Sequence, residues 1–289
     1  MMRQLTRLLI YRYMWAFCML LVLSGPAKAA TYTSIDCPDS FGTEVRGIND
    51  RGDIVGICDD AKGIHGFRLR KGEFLLIDFP GASVTFANGS NNLGHIVGFY
   101  NDELTNHGFL LRNGRFTTID PPGSVNTLAQ GIDDLGRIVG FYERRDGEFR
   151  GFILDSRGYR DVVVPKAEHT GAIKTDVLGR IVGGFIDADG IPHGYYLKKG
   201  KLTTIDPPDA VGARAFGVNI LGHIVGGWSA DPACPDCFVN AFLFTPKGYR
   251  NLRFPGAQET VAYGINTVGQ IVGDYFGVDE RFHGFVRDP

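Results

Sequence analysis

Helical periodicity is missing from this sequence: no run longer than two turns repeats its apolar residues at helical spacing. That excludes helix bundles and the helical crossovers that a parallel sheet needs. A nucleophile elbow, a phosphate loop, a metal triad and a dinucleotide fingerprint are missing as well, so motifs assign no catalytic class, and neither a cofactor nor a metal is expected. Low-complexity stretches and linkers are absent, which leaves one domain as the simplest count. Cysteine is sparse, with five in 289 residues. A chain with 44% apolar residues buries a sufficient core without metal or disulfide help. Long hydrophobic runs are lacking except at the N-terminus.

That one run, Met14–Leu23, follows Arg3, Arg7 and Arg12 and precedes Ala27-Lys28-Ala29. A positive region, a short apolar core and a small-x-small site predict a signal peptide over residues 1–29, with the mature domain at 30–289. The run is too short to span a membrane comfortably. Cys18 lies inside it, so no lipid-attachment pattern follows. Removing four basic residues leaves 26 basic against 32 acidic side chains, a net charge of −6. That balance speaks against nucleic acid and anionic membrane as partners. The mature protein is expected to be exported, released and monomeric.

What is abundant is glycine, 40 residues of it, alongside Val, Ile, Phe, Tyr and Thr. The tripeptide Ile-Val-Gly recurs at 54–56, 96–98, 138–140, 181–183, 224–226 and 271–273, spaced by 42, 42, 43, 43 and 47 residues. A fixed period near 42 marks one supersecondary unit stacked on itself. Within 127–165 the pattern reads as four short strands, a to d, joined by tight turns. Four antiparallel strands per unit predict an all-β, six-bladed β-propeller. An Asn or Asp opens every a–b turn (Asn49, Asn91, Asp133, Asp176, Asn219, Asn266), three residues before a glycine, as turn chemistry requires. A ring of six such side chains could also hold a cation, but the turn role suffices.

The two chain ends complete each other. Tyr32–Pro38 matches a strand d, whereas the sixth unit stops after its strand c. Pairing them closes the ring and removes two raw edges. A covariation supports this closure. Strand c opens with His65, His107, His193 or His283, and strand d ends in Asp78, Asp120 or Asp206 in the first, second and fourth units. For His283 the partner must be Asp36 from the other end of the chain. Four equivalent copies suit cross-strand locks better than half of a catalytic triad.

Cys37 and Cys58 replace apolar residues on either side of the same junction, which predicts a disulfide in an oxidising compartment. Cys234 and Cys237 sit in the single long insertion, 229–240. They read as a local disulfide rather than a redox or zinc motif.

Strand alternation places the b–c loops and the d–a crossings on one face, which varies in length and is acidic; the other face is nearly uniform. Asp187-Ala-Asp189-Gly190 is only the opening of a calcium loop. Charged departures near the innermost strands, Glu44, Arg46, Lys174 and Arg214, are candidates for a pocket at the central channel, joined by Glu168 and His169 on a crossing. Glu44, Glu168 and His169 are the candidates if there is catalysis. Arg46, Lys174 and Arg214 are candidates for ligand binding, together with Trp228 and Phe276 as rim aromatics.

With its Gly-Ile-Asn-x-x-Gly-x-Ile-Val-Gly and His-Gly-Phe-Leu-Leu-x-x-Gly-x-Phe-Thr-Thr-Ile-Asp elements, the unit resembles the bacterial extracellular HAF repeats over nearly all of residues 31–289. The resemblance implies a secreted propeller-like protein and brings no catalytic residues. Three functions follow as expectations. The first is a non-enzymatic propeller binding a carbohydrate or protein ligand on the b–c face. The second is a hydrolase or lyase at the channel, and the third a structural envelope protein.

Overall fold

The computed structural model describes residues 30–289; the expected signal peptide lies outside the described residues. Six four-stranded antiparallel sheets succeed one another along the chain. The innermost strands, a, are Gly42–Ile48, Val84–Ser90, Ser124–Ile132, His169–Thr175, Gly212–Val218 and Glu259–Ile265. In the sixth blade, Thr31–Ile35 supplies strand d by pairing with Phe282–Asp288, in a register that sets Ile35 opposite Gly284. The expected closure is present. Among the described residues no helix is long and apolar enough to cross a membrane.

The repeat explains itself at close quarters. A Cβ on Gly98, the last residue of an Ile-Val-Gly triplet, would lie 1.7 Å from the carbonyl oxygen of Phe86 on the neighbouring strand a. No side chain fits there, so glycine ends every triplet. The valine before it points the other way, into the gap between blades. Val55 packs there with Ile77 of its own blade and with Ala87, Ile96 and Phe109 of the next. Phe67, Phe109, Phe152, Tyr195, Phe242 and Phe285 occupy one position of strand c and are fully buried. Each contributes about 3 kcal/mol of apolar burial. The core is therefore six equivalent junctions rather than one centre.

Three kinds of clasp hold those junctions. The Cys37–Cys58 disulfide ties the closing strand to blade one. At equivalent junctions Phe79 stacks on Tyr100 at 3.6 Å and Phe254 on Tyr275 at 3.7 Å. The disulfide thus replaces an aromatic sandwich. In a second clasp, a strand-a threonine accepts a backbone N–H from the end of the preceding strand d: Thr43 from Cys37, Thr85 from Phe79, Thr170 from Val164 and Thr260 from Phe254. Pro207 has no N–H to give, and the facing residue is Ala213.

The third clasp rings the axis. Each Asx oxygen accepts backbone N–H groups inside its own turn, as with Asn91 and the amides of Leu93 and His95. Its amide then donates across the junction: Asn49 to the carbonyl of Asn91, Asn91 to Asp133, Asn219 to Asn266, and Asn266 back to Asn49. Aspartate cannot donate, and both aspartates of the ring are followed four residues later by arginine. Arg137 bonds Asp133 and reaches the carbonyl of Asp176 at 2.7 Å. Arg180 bonds Asp176 and reaches the carbonyl of Asn219 at 2.9 Å. The side chains of this ring are committed to backbone groups.

Candidate functional site

Every strand a carries a β-bulge, after Val45, Ala87, Ala129, Ala172, Ala215 and Ala262. A bulge leaves one residue unpaired and re-aims its side chain. The six residues so released are Arg46, Asn88, Gln130, Ile173, Phe216 and Tyr263, and all six line a cavity of about 260 Å³ in the central channel. Lys174 follows the bulge where the other blades have Gly47, Gly89, Gly131, Gly217 and Gly264. Its chain crosses the axis, so that a Cβ on Gly47 or Gly89 would lie 3.3 or 3.2 Å from its Nζ. It lines both this cavity and the depression on the opposite face, and so plugs the channel. Burial pushes its ammonium down to about 8.

A second recess of about 250 Å³ adjoins the first and shares Phe141, Ile173 and Arg214 with it. Its cause is two missing side chains. Where blade two has Phe86 and Phe99, stacked at 4.4 Å, and blade three has Leu128 and Phe141, blade four has Gly171 and Gly184. Phe141, Phe149, Phe185, Ile173 and Ile186 wall the resulting slot, and Arg214 leans over Gly184 at its inner end. His169 stands at the slot with Nδ1 accepting the backbone N–H of Phe149 at 3.2 Å, which leaves Nε2 as the N–H donor of the neutral ring.

The three channel cations differ in their company. Arg46 is paired with Glu44 and lies over the Tyr263 ring at 4.4 Å. Burial works against its charge, but Tyr263, Glu44 and Asp274 outweigh it and hold the guanidinium above its usual value. Asp274 faces it from strand b of blade six. Burial pushes its carboxyl up to about 7; Arg46 opposes that rise, and Glu44 and Glu259 add to it. Arg214 and Lys174, by contrast, have no carboxylate in salt-bridge range and no hydrogen bond among the described residues. Arg214 lies over the Phe238 ring, 5.2 Å away, and burial lowers its pKa, which the more distant Asp236 and Tyr263 only partly offset.

Arg46, Lys174, Arg214 and His169 therefore line the channel or its slot, and Glu44 joins them only through its ion pair with Arg46. Glu168 does not: its side chain is exposed on the crossing. Trp228 is not a rim aromatic. It occupies the junction position of Cys58 and Tyr100, packs against the core between blades four and five, and buries its indole nitrogen. Phe276 is half-buried beside Phe282, with ring centroids 5.1 Å apart. Asp274, Tyr263, Phe141 and the two glycines escaped sequence reasoning. Asp274 alone had a signal, as a carboxylate in a column that otherwise reads Ile57, Phe99, Phe141, Gly184 and Gly227.

The four strand-c histidines stand away from the channel, each between two carboxylates. His107 Nδ1 lies 2.8 Å from Asp120 and Nε2 3.2 Å from Asp102. The matching distances are 2.7 and 3.2 Å for His193 with Asp206 and Asp187, and 2.6 and 3.1 Å for His283 with Asp36 and Asp279. His65 lies 2.7 Å from Asp78 and 3.5 Å from Asp60. Burial pulls the imidazoles of His107, His193 and His283 down, but the paired carboxylates prevail and hold them above the ordinary value. For His107, His193 and His283 the second aspartate comes from the b–c loop, and for His65 it is Asp60 at the end of strand b, so part of that loop's acidity is structural.

Cys234 and Cys237 are bonded to each other, bracing the insertion. On the opposite face, Leu93, Leu135, Leu178, Leu221 and Val268 stand exposed at one position of five a–b turns. The axial depression there is about 170 Å³. Its polar groups already bond one another, as in Asn92 Nδ2 to Asp134 at 2.7 Å and the Thr267 amide to Asp50 at 2.7 Å.

No protein-family model matches the chain, and no curated protein sequence does either. Solved propellers do. AofleA from Arthrobotrys oligospora is 10% identical at a TM-score of 0.56, over 89% of this chain and 86% of that one. Virginiamycin B lyase from Staphylococcus aureus, in a catalytically inactive form with quinupristin, is 11% identical at 0.49, over 89% and 99%. The six-bladed lectin of Aleuria aurantia is 10% identical at 0.45, over 78% and 77%. At such identity the likeness shows the fold alone. The chain is a six-bladed β-propeller.

Proposed function

We propose that this is a secreted, non-enzymatic HAF-repeat propeller that binds its ligand on the b–c face, in the slot and channel mouth between blades three, four and five. The observation that carries the reading is the pair Lys174 and Arg214, half-buried cations with no carboxylate in salt-bridge range among the described residues, beside an aromatic-walled recess. A buried charge left unpaired costs several kcal/mol unless something else compensates it. A cation with a pKa perturbed by burial, sitting in a cleft, is a mark of a functional site. The two disulfides fit an oxidising, exported setting. The groups a hydrolase would need do not converge. Glu168 faces solvent, Glu44 is held by Arg46, and His169 Nδ1 is occupied.

Binding of a glycan and metabolite library to the wild type and to Gly171→Leu tests the reading. Leucine stands at that position in blade three and would fill the slot. Ligands of this site should bind the wild type only; a library in which every hit binds both proteins equally defeats the reading.

A second reading, catalysis at the channel, rests on Asp274, whose carboxyl is held near neutrality beside Arg46. It requires an activity that Asp274→Asn abolishes while the circular dichroism spectrum is unchanged.

A further inference from the structure

The slot is selective about what it could hold. Its walls are the rings of Phe141, Phe149 and Phe185 with Ile173 and Ile186, and they offer few groups to satisfy the hydroxyls of a sugar. At the inner end is the Arg214 guanidinium, with no hydrogen bond and no carboxylate in salt-bridge range among the described residues, Asp236 acting on it only from farther off. His169 adds an N–H donor on the side of Phe149. An apolar body with one anionic end matches this layout, and a flat body matches walls made of rings. A guanidinium prefers the planar, two-oxygen geometry of a carboxylate.

We propose that the slot binds a small aromatic carboxylate, its ring between Phe141, Phe149 and Phe185 and its carboxylate on Arg214. This rests on the reading of the slot as the ligand site. A neutral sugar would leave the guanidinium uncompensated, and an aliphatic acid would leave the ring walls unfilled. Arg46 does not compete for the anion, because Glu44 already holds it. Lys174, reached through the shared wall at Ile173, adds positive potential from the channel side.

Calorimetric titration with phenylacetate tests the inference, alongside its neutral counterpart phenylacetamide and the non-aromatic glucuronate. The wild type is expected to bind phenylacetate, and to bind phenylacetamide and glucuronate at least about tenfold more weakly. Arg214→Gln should lose about tenfold or more for phenylacetate and nothing for phenylacetamide. Gly171→Leu should lose both, with an unchanged circular dichroism spectrum. Equal binding of acid and amide, tighter binding of glucuronate, or no detectable phenylacetate binding overturns the inference while leaving the slot available to another ligand. If Gly171→Leu binds phenylacetate as the wild type does, the acid sits elsewhere, and the reading of the slot falls with the inference.

Discussion

Arg180 gives the carbonyl of Asn219 the hydrogen bond that Asp176 cannot donate, and Arg137 does the same between Asp133 and Asp176. A ring built from one repeated amide tolerates aspartate only where arginine comes with it.

Arg180→Ala should therefore be costly, since it leaves a buried carboxylate unpaired and a carbonyl orphaned. A loss of about 3 kcal/mol in urea denaturation is expected. Asp176→Asn with Arg180→His recreates the pairing of Asn219 and His223 in blade five and should recover most of it. An Arg180→Ala variant as stable as the wild type would remove the clasp from the account.

Reducing the disulfides, or replacing Cys37 and Cys58 by alanine, should destabilise the ring by about 3 kcal/mol. Cys37→Phe with Cys58→Tyr, the stacked pair of the next junction, should restore part of that stability without a covalent bond. Denaturation midpoints of the three forms give the comparison.

Much of the architecture was legible because six copies could be compared with one another. The orphan strand at Thr31–Ile35, the Asp36–His283 pair and the Cys37–Cys58 bond each appeared as a departure that made sense only with the ends joined. The site was legible in part. Arg46, Lys174 and Arg214 stood out as charges in apolar columns, whereas the slot is made by Gly171 and Gly184, where glycine draws no attention in a glycine-rich repeat. Trp228 misled because an aromatic in a column reading Cys58, Tyr100 and Tyr142 belongs to the junction, not the rim. The second aspartate on His107, His193 and His283 comes from a loop of irregular length, which has no fixed register to read.

Stability should fall as pH rises through neutrality, because three imidazoles are raised against one, His95, that burial lowers. The folded-state pKa values of His107, His193 and His283 lie above the ordinary imidazole value, so their contribution is full below about pH 6.5 and lost as pH passes the raised values. Asp274 acts in the same direction, because a carboxyl raised to about 7 loses its advantage between its ordinary range and that value. Melting temperatures from pH 5 to pH 8, about the range in which these groups titrate, should show the decline, and Asp274→Asn should make it shallower. A rise in melting temperature with pH over that interval would contradict the assignment.

Lys174→Met should raise stability at neutral pH by about 1–2 kcal/mol, because it removes an enclosed charge without an internal partner. It should also weaken anion binding at the channel. A variant less stable than the wild type would mean that the ammonium is compensated within the fold.

The most direct measurement is a crystal structure of the protein with a ligand recovered from the library screen. Ligand density between Phe141, Phe149 and Phe185, within hydrogen-bond distance of Arg214, is the predicted result. Density on the outer strands or on the a–b face, with the slot filled only by water, would contradict the assignment of the site.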